Sequence, residues 1–387
     1  MDLPRKPEAW RKLCATLDVK GFGGVSGLAD ERLRPGSNIN SEQFIALRIL
    51  CPNQKNGSQL NSNLKKYVDL TTFEEMKEKL SASREWNQFL AAVSGEKKIP
   101  GDLGQYATVW EYQVRARWGT SRSGFQALVC SDPETSVAHR TRSKAQPLPQ
   151  PERPRTPPQA TQSIKADVEE INKALAQAGL GSPIQLHSQL LSPVSPEQHL
   201  SGDQGNEVTV NTALIHFCST LDLFNLERSG LSWSYEQKAF KFVMHNGGNF
   251  VARVDGILEL VDNKQPLAIV EVKAGLRARQ QSRIVWQEGA ELVAWIMSWL
   301  PFNWDEKGNE KKTFRRLLIS QDHHEMYFIV AEFTTGWIKH MLGHKNVGDD
   351  FLYMQEYGPF PTNSPTHLLF SAAMVLTVTK QRGLLED

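Results

Sequence analysis

Residues 249–275, NFVARVDGILELVDNKQPLAIVEVKAG, write an aspartate and then a Glu-x-Lys pair into a run of Leu, Ala, Ile and Val. A continuous apolar stretch bounded by Pro266 and Gly275 reads as a strand covered on both faces. A carboxylate and an ammonium are costly there unless they are paired or bound to a metal. Side chains alternate along a strand, so Glu271 and Lys273 share one face while Val270 and Val272 take the other. Asp255 lies in the preceding strand-like segment, close enough to pair with this one through a turn at Asp262-Asn263. The layout is that of a small metal-dependent active site.

Composition narrows what such a site can serve. The chain has 387 residues, 40% of them hydrophobic, enough for one large core or two modest ones. Its formal net charge of +1 gives no global basic field, so contact with nucleic acid has to come from local patches. Cys14, Cys51, Cys130 and Cys218 lie far apart without zinc-ligand spacing, which suits a reducing, intracellular setting better than a disulfide framework. The start, MDLPRKPEAW, lacks an apolar signal region, and no run approaches the ~20 apolar residues of a membrane span. An unexported protein is expected.

Along the chain the composition changes twice. Residues 1–136 read as a helical accessory region, with a helix start at Thr72, whose Glu75 completes a capping-box spacing, and another helix from Tyr106 to Trp118. Residues 137–160 form a Pro-rich basic linker, whose Arg140, Arg142, Arg153 and Arg155 suit nuclear import or loose nucleic-acid contact as well as a plain spacer. From 161 to 387 the order is a helix after Ser163, a polar loop, a helix from Glu207, strand-like segments from 231 to 275, and a helix at 283–300. Two strands follow at 315–334, then a last helix after Ser364-Pro365. The fold class expected is α/β, a mixed central sheet flanked by helices with a helical N-terminal region.

Phosphodiester hydrolysis needs a water deprotonated near neutral pH and charge stabilisation on the phosphate, and oxygen-bound divalent cations supply both. Mg²⁺ takes carboxylates, a backbone carbonyl and waters, so Asp255, Glu271 and the Val272 carbonyl suffice to hold one ion. Lys273, on the face of Glu271, lies where its charge matches an anionic transition state. Within 283–300, Gln287, Glu291 and Ser298 form a polar stripe on a helix apolar on both other sides, as the border of a wet cavity would be.

VDG, a spacer, EVK, and then a helix opening on Gln-Glu resemble motifs II, III and IV of the PD-(D/E)XK, or restriction-endonuclease-like, nuclease superfamily. More narrowly, ARVDG, AIVEVK and QEGAELVAWI resemble fungal nuclease-like domains that carry a helical front half and a Pro-rich linker. The resemblance covers about 161–387. It implies a restriction-endonuclease-like core, Mg²⁺ as cofactor with Mn²⁺ as a substitute, and a nuclease acting on nucleic acid, with DNA the expected substrate. Asp255 matches the motif II aspartate, Glu271 and Lys273 the acidic residue and lysine of motif III, and Gln287 the helical glutamine of exonuclease-like branches. Glu207 matches the supplementary acidic residue and would join Asp255, Glu271 and Val272 around the metal. Val254 stands where the family name has proline, a position without a chemical role. The alternative is a catalytically silent nuclease-like module that binds nucleic acid or a protein partner.

Blander readings stand beside these. Glu271 and Lys273 also make sense as an edge-strand salt bridge, and Glu207 as a first-turn glutamate favoured by the helix dipole. Arg277, Arg279 and Arg283 suit phosphate contact or a solvated basic loop equally. Glu259 suits a cross-strand ion pair, and His323 and His324 a surface turn. Trp233 and Tyr235 suit the core better than a base-stacking role.

Overall fold

The structure, a computed structural model, describes residues 3–17, 19, 33–95, 103–118, 207–224, 230–243, 249–301, 304–305, 311–344 and 349–386. The Pro-rich linker and the expected helix after Ser163 lie outside these residues. Residues 1–131 and 203–387 belong to one compact unit.

The protein is mixed α/β. Nine strands are described: β1 (Ile49–Leu50), β2 (Leu231–Ser234), β3 (Ala239–Val243), β4 (Asn249–Arg253), β5 (Gly256–Leu260), β6 (Pro266–Lys273), β7 (Thr313–Asp322), β8 (Glu325–Thr334) and β9 (Leu352–Pro361). Seven form one sheet in the order β1-β9-β8-β7-β6-β5-β2, and β3 and β4 make a separate hairpin. The sheet is mixed because β6 pairs parallel to β7 and β1 parallel to β9, whereas β5 and β6, β7 and β8, and β8 and β9 pair antiparallel.

Helices cover both faces. In the front half these are α1 (Pro7–Thr16), α2 (Ser41–Ala46), α3 (Gly57–Asn63), α4 (Leu70–Ala82), α5 (Arg84–Val93) and α6 (Ala107–Trp118). In the back half they are α7 (Glu207–Phe224), α8 (Gln281–Ser298), α9 (Thr335–Met341) and α10 (Pro365–Gln381). Ala268, Val270 and Val272 of β6 face one core, shared with α4–α7 and α10. Ile269 faces the other, shared with α1, α2 and α8. The alternation of β6 therefore turns Glu271 and Lys273 toward α8.

Local chemistry explains most of these elements. α10 begins on Pro365 at its first turn, where a missing N–H costs nothing. Thr377 and Thr379 are accommodated because their hydroxyls donate to the carbonyls of Ala373 and Val375. α4 starts three residues earlier than the Thr72 spacing predicts, because Asp69 caps it by accepting from the Thr72 N–H at 2.7 Å. α9, β1 and β9 were not expected from the sequence. Two glycines set close approaches around the site. A Cβ on Gly256 would lie 2.5 Å from Ile215 Cδ1 of α7, and one on Gly289 would lie 2.9 Å from Ile49 Cδ1 and Phe44 Cε2. Glycine thus lets α7 settle on the start of β5 and lets α8 settle on α2 and β1.

No described helix is long and apolar enough to cross a membrane. Cys14, Cys51 and Cys218 are buried free thiols; Cys130 lies outside the described residues.

Candidate active site

Asp255 sits one residue before β5, between β4 and β5, at the open end of the β5–β6 hairpin. Its backbone N–H donates to the Val270 carbonyl at 3.0 Å, and its carboxylate accepts from the Val272 N–H at 3.1 Å. Asn211 of α7 donates to its carbonyl at 3.0 Å. The aspartate is thereby pinned beside the end of β6. The N–H and C=O of a strand residue point to the same side, so the Val272 carbonyl also faces the Asp255 edge.

Glu271 and Lys273 form an ion pair on the α8 side of the sheet. Glu271 is only 2% exposed. Gln287, on α8, donates its amide N–H groups to Glu271 Oε1 at 2.6 Å and to Glu291 Oε1 at 2.9 Å. The glutamine thus ties the two glutamates together. Glu291 has no exposed surface, and its Oε2 has no hydrogen-bond partner. In sequence it counted only as part of a polar stripe, although its i+4 spacing from Gln287 placed it on the same face. Ser298, the third member of that stripe, bonds the Lys241 carbonyl at 3.0 Å and takes no part in the site.

Charge is unevenly distributed here. Glu271 and Glu291 act on the ammonium of Lys273, which pairs with Glu271 and, at 3.5 Å, with the half-exposed Glu207. Burial pushes the Glu271 carboxyl well above the ordinary range, the Glu291 charge adds to the effect, and Lys273 opposes it. Burial likewise drives Glu291 upward, against the pull of Lys273. Burial works against the Lys273 ammonium, but the charges of Glu271, Glu291 and Glu207 outweigh it and hold its proton more tightly than in an ordinary lysine.

Lys273 and Glu207 open onto a cavity of about 190 Å³, completed by residues 274–276, Arg279, Gln280 and Ile284. A second cavity, of about 340 Å³, flanks the first turn of α8 between Cys51, Asn53, Gln54, Gln281 and Glu356. Of the three arginines expected at a phosphate, Arg279 lines the lysine-side cavity, Arg283 is exposed outside its lining, and Arg277 is turned inward. Arg277 is 2% exposed and bonds Asp322 at 2.6 Å, Ser320 at 3.0 Å, both oxygens of Glu288, and Glu356, with its guanidinium 4.2 Å from the Tyr327 ring centroid. Its N–H groups are spent on protein partners, so the expectation of phosphate contact does not hold for this residue in the folded arrangement.

The remaining candidates fall where chemistry puts them. Glu259 is buried and paired with Lys264 at 2.9 Å and Lys238 at 3.3 Å. His323 and His324 occupy the β7–β8 turn, half-buried, with their Nδ1 atoms 2.6 Å apart. Trp233 is buried and Tyr235 partly exposed.

Among the described residues, no group of three or more His, Cys, Asp or Glu is arranged to hold a metal ion. Glu207 reaches the site through its 3.5 Å contact with Lys273. The donor atoms that do gather, two carboxylates and a backbone carbonyl, are all hard oxygens suited to Mg²⁺ or Mn²⁺. The Glu291 Oε2 beside them has no hydrogen-bond partner, a further hard oxygen left open, so these residues fit a divalent cation. A scan against protein-family models and a search of curated proteins each returned no match.

Proposed function

We propose that the protein is a divalent-cation-dependent phosphodiester hydrolase acting on nucleic acid, with DNA the expected substrate. The observation that carries this reading is the gathering, at the end of one buried strand, of Asp255, Glu271 and Lys273 in a setting with more carboxylate than ammonium. Asp255, Glu271 and the Val272 carbonyl would hold the ion. Bound there, Mg²⁺ would supply a water acidic enough to ionise near neutral pH and positive charge for the phosphate.

The chain's own groups have distinct tasks. Lys273 brings a fixed positive charge to the cavity mouth, where an anionic transition state would be stabilised. Gln287 holds the Glu271 carboxylate in one orientation. Glu207 draws the ammonium toward the cavity, and Arg279 offers a second cation at its wall.

The test is cleavage of labelled DNA by the purified full chain. Mg²⁺-dependent cleavage that drops by ~10²-fold or more in Lys273→Ala supports the reading, since that is the usual loss on removing one preorganised charge partner. Cleavage that survives the substitution removes Lys273 from the chemistry. A chain that binds labelled DNA with Mg²⁺ and leaves it intact is the silent binding module.

A further inference from the structure

Glu291 is the one acid of the site with no exposed surface and no ion pair among the described residues. It sits in the middle of α8 with no exposed surface. One oxygen accepts from the neutral Gln287 amide at 2.9 Å; the other accepts nothing. The same amide donates to Glu271 at 2.6 Å, so the two glutamates are bridged by one side chain and face the same interior. A fully buried carboxylate held by a single neutral donor is a costly arrangement for stability alone, and leucine or methionine would fill the same helical position without that cost. Negative charge in such a desolvated place acts strongly on whatever cation comes near.

We propose that Glu291 is a third acidic residue of the cation site, an outer-sphere carboxylate that attracts a divalent ion held by Asp255 and Glu271 and fixes Glu271 through Gln287. The inference rests on the cation-dependent reading above. Glu291 does not join a direct three-carboxylate cluster. Its contribution is therefore charge and orientation, and loss of such an outer partner typically costs 10–100-fold in metal affinity.

The experiment is calorimetric titration of Mn²⁺ into the full chain and into Glu291→Gln and Asp255→Asn, with melting curves in chelator as the control for folding. Glutamine keeps the size of the side chain and an oxygen for Gln287. Glu291→Gln should bind Mn²⁺ at least ten-fold more weakly, yet melt in chelator no lower than the wild type, because it replaces an acid that is costly to bury with a neutral amide of the same size. A residue kept only for structure would give the opposite pattern, a lower melting point and unchanged affinity, and that result overturns the proposal. Mn²⁺ affinity within two-fold of wild type in Glu291→Gln, alongside its loss in Asp255→Asn, overturns the role of Glu291 and leaves the cation site standing. No Mn²⁺ binding by the wild type defeats both.

Discussion

Two acidic clusters lie between the end of the sheet and α8: the buried Asp322, Glu288 and Glu356 gather on Arg277, and the buried Glu271 and Glu291, with the part-exposed Asp255, lie on the side of Lys273. Around Arg277, the cation touches all of Asp322, Glu288 and Glu356, and Ser320 serves both the guanidinium and Asp322. Around Lys273, the cation touches Glu271 alone of the two buried acids, and its side chain remains 20% exposed at a cavity. The planar guanidinium can serve several carboxylates at once, which a compact ammonium cannot. The first cluster is a closed tie joining the turn after β6 to α8, β7 and β9; the second is left short of positive charge beside open space. Buried acid is thus structural where its counter-charge comes built in, and chemical where it must be supplied from outside.

That contrast is broken most severely at Arg277. Arg277→Ala leaves three buried carboxylates without their cation and is expected to cost about 3–5 kcal/mol in chemical denaturation. A loss below about 1 kcal/mol would mean the tie is dispensable. At the other cluster the expected damage is to chemistry: Lys273→Ala should lower any Mg²⁺-dependent cleavage by ~10²-fold or more.

The pH response offers a third way to sharpen the comparison. Burial raises the Glu288 carboxyl, Arg277 opposes this, Asp322 and Glu356 add to it, and the result is about 7 against an ordinary 4.5. The folded protein then holds more protons than the unfolded chain between pH 4.5 and 7, so this group's contribution to stability declines as pH rises through that window. Melting curves in chelator should show a midpoint that falls toward pH 7, with a smaller fall in Glu288→Gln. A midpoint that climbs across the window contradicts the burial account. The smallest effect is expected at the rim, where the Glu207 side chain is 54% exposed. Glu207→Gln should change folding stability by less than about 1 kcal/mol.

The division between what was legible in the sequence and what was not follows the same physics. β6 and its charged pair were visible because period-two alternation and a continuous apolar run are local signals, and α8 and α10 because helical periodicity and a Ser-Pro start are local too. β9 was not, since it carries Gly358, Pro359 and Pro361, residues that weaken any strand signal. The structural role of Arg277 was equally hidden. Its partners lie 11, 45 and 79 residues away, on three elements that meet only once the sheet is formed. Glu291 is intermediate: its place on the polar face was legible, whereas its missing partner depends on how α8 seats against the sheet.

The most direct test of the central claim is a crystal of the full chain soaked in Mn²⁺ and measured for anomalous scattering. The account predicts a peak between the carboxylates of Asp255 and Glu271, against the Val272 carbonyl, with Glu291 beyond direct coordination. An anomalous map with no peak there, in a crystal whose Asp255 and Glu271 are well ordered, would contradict it.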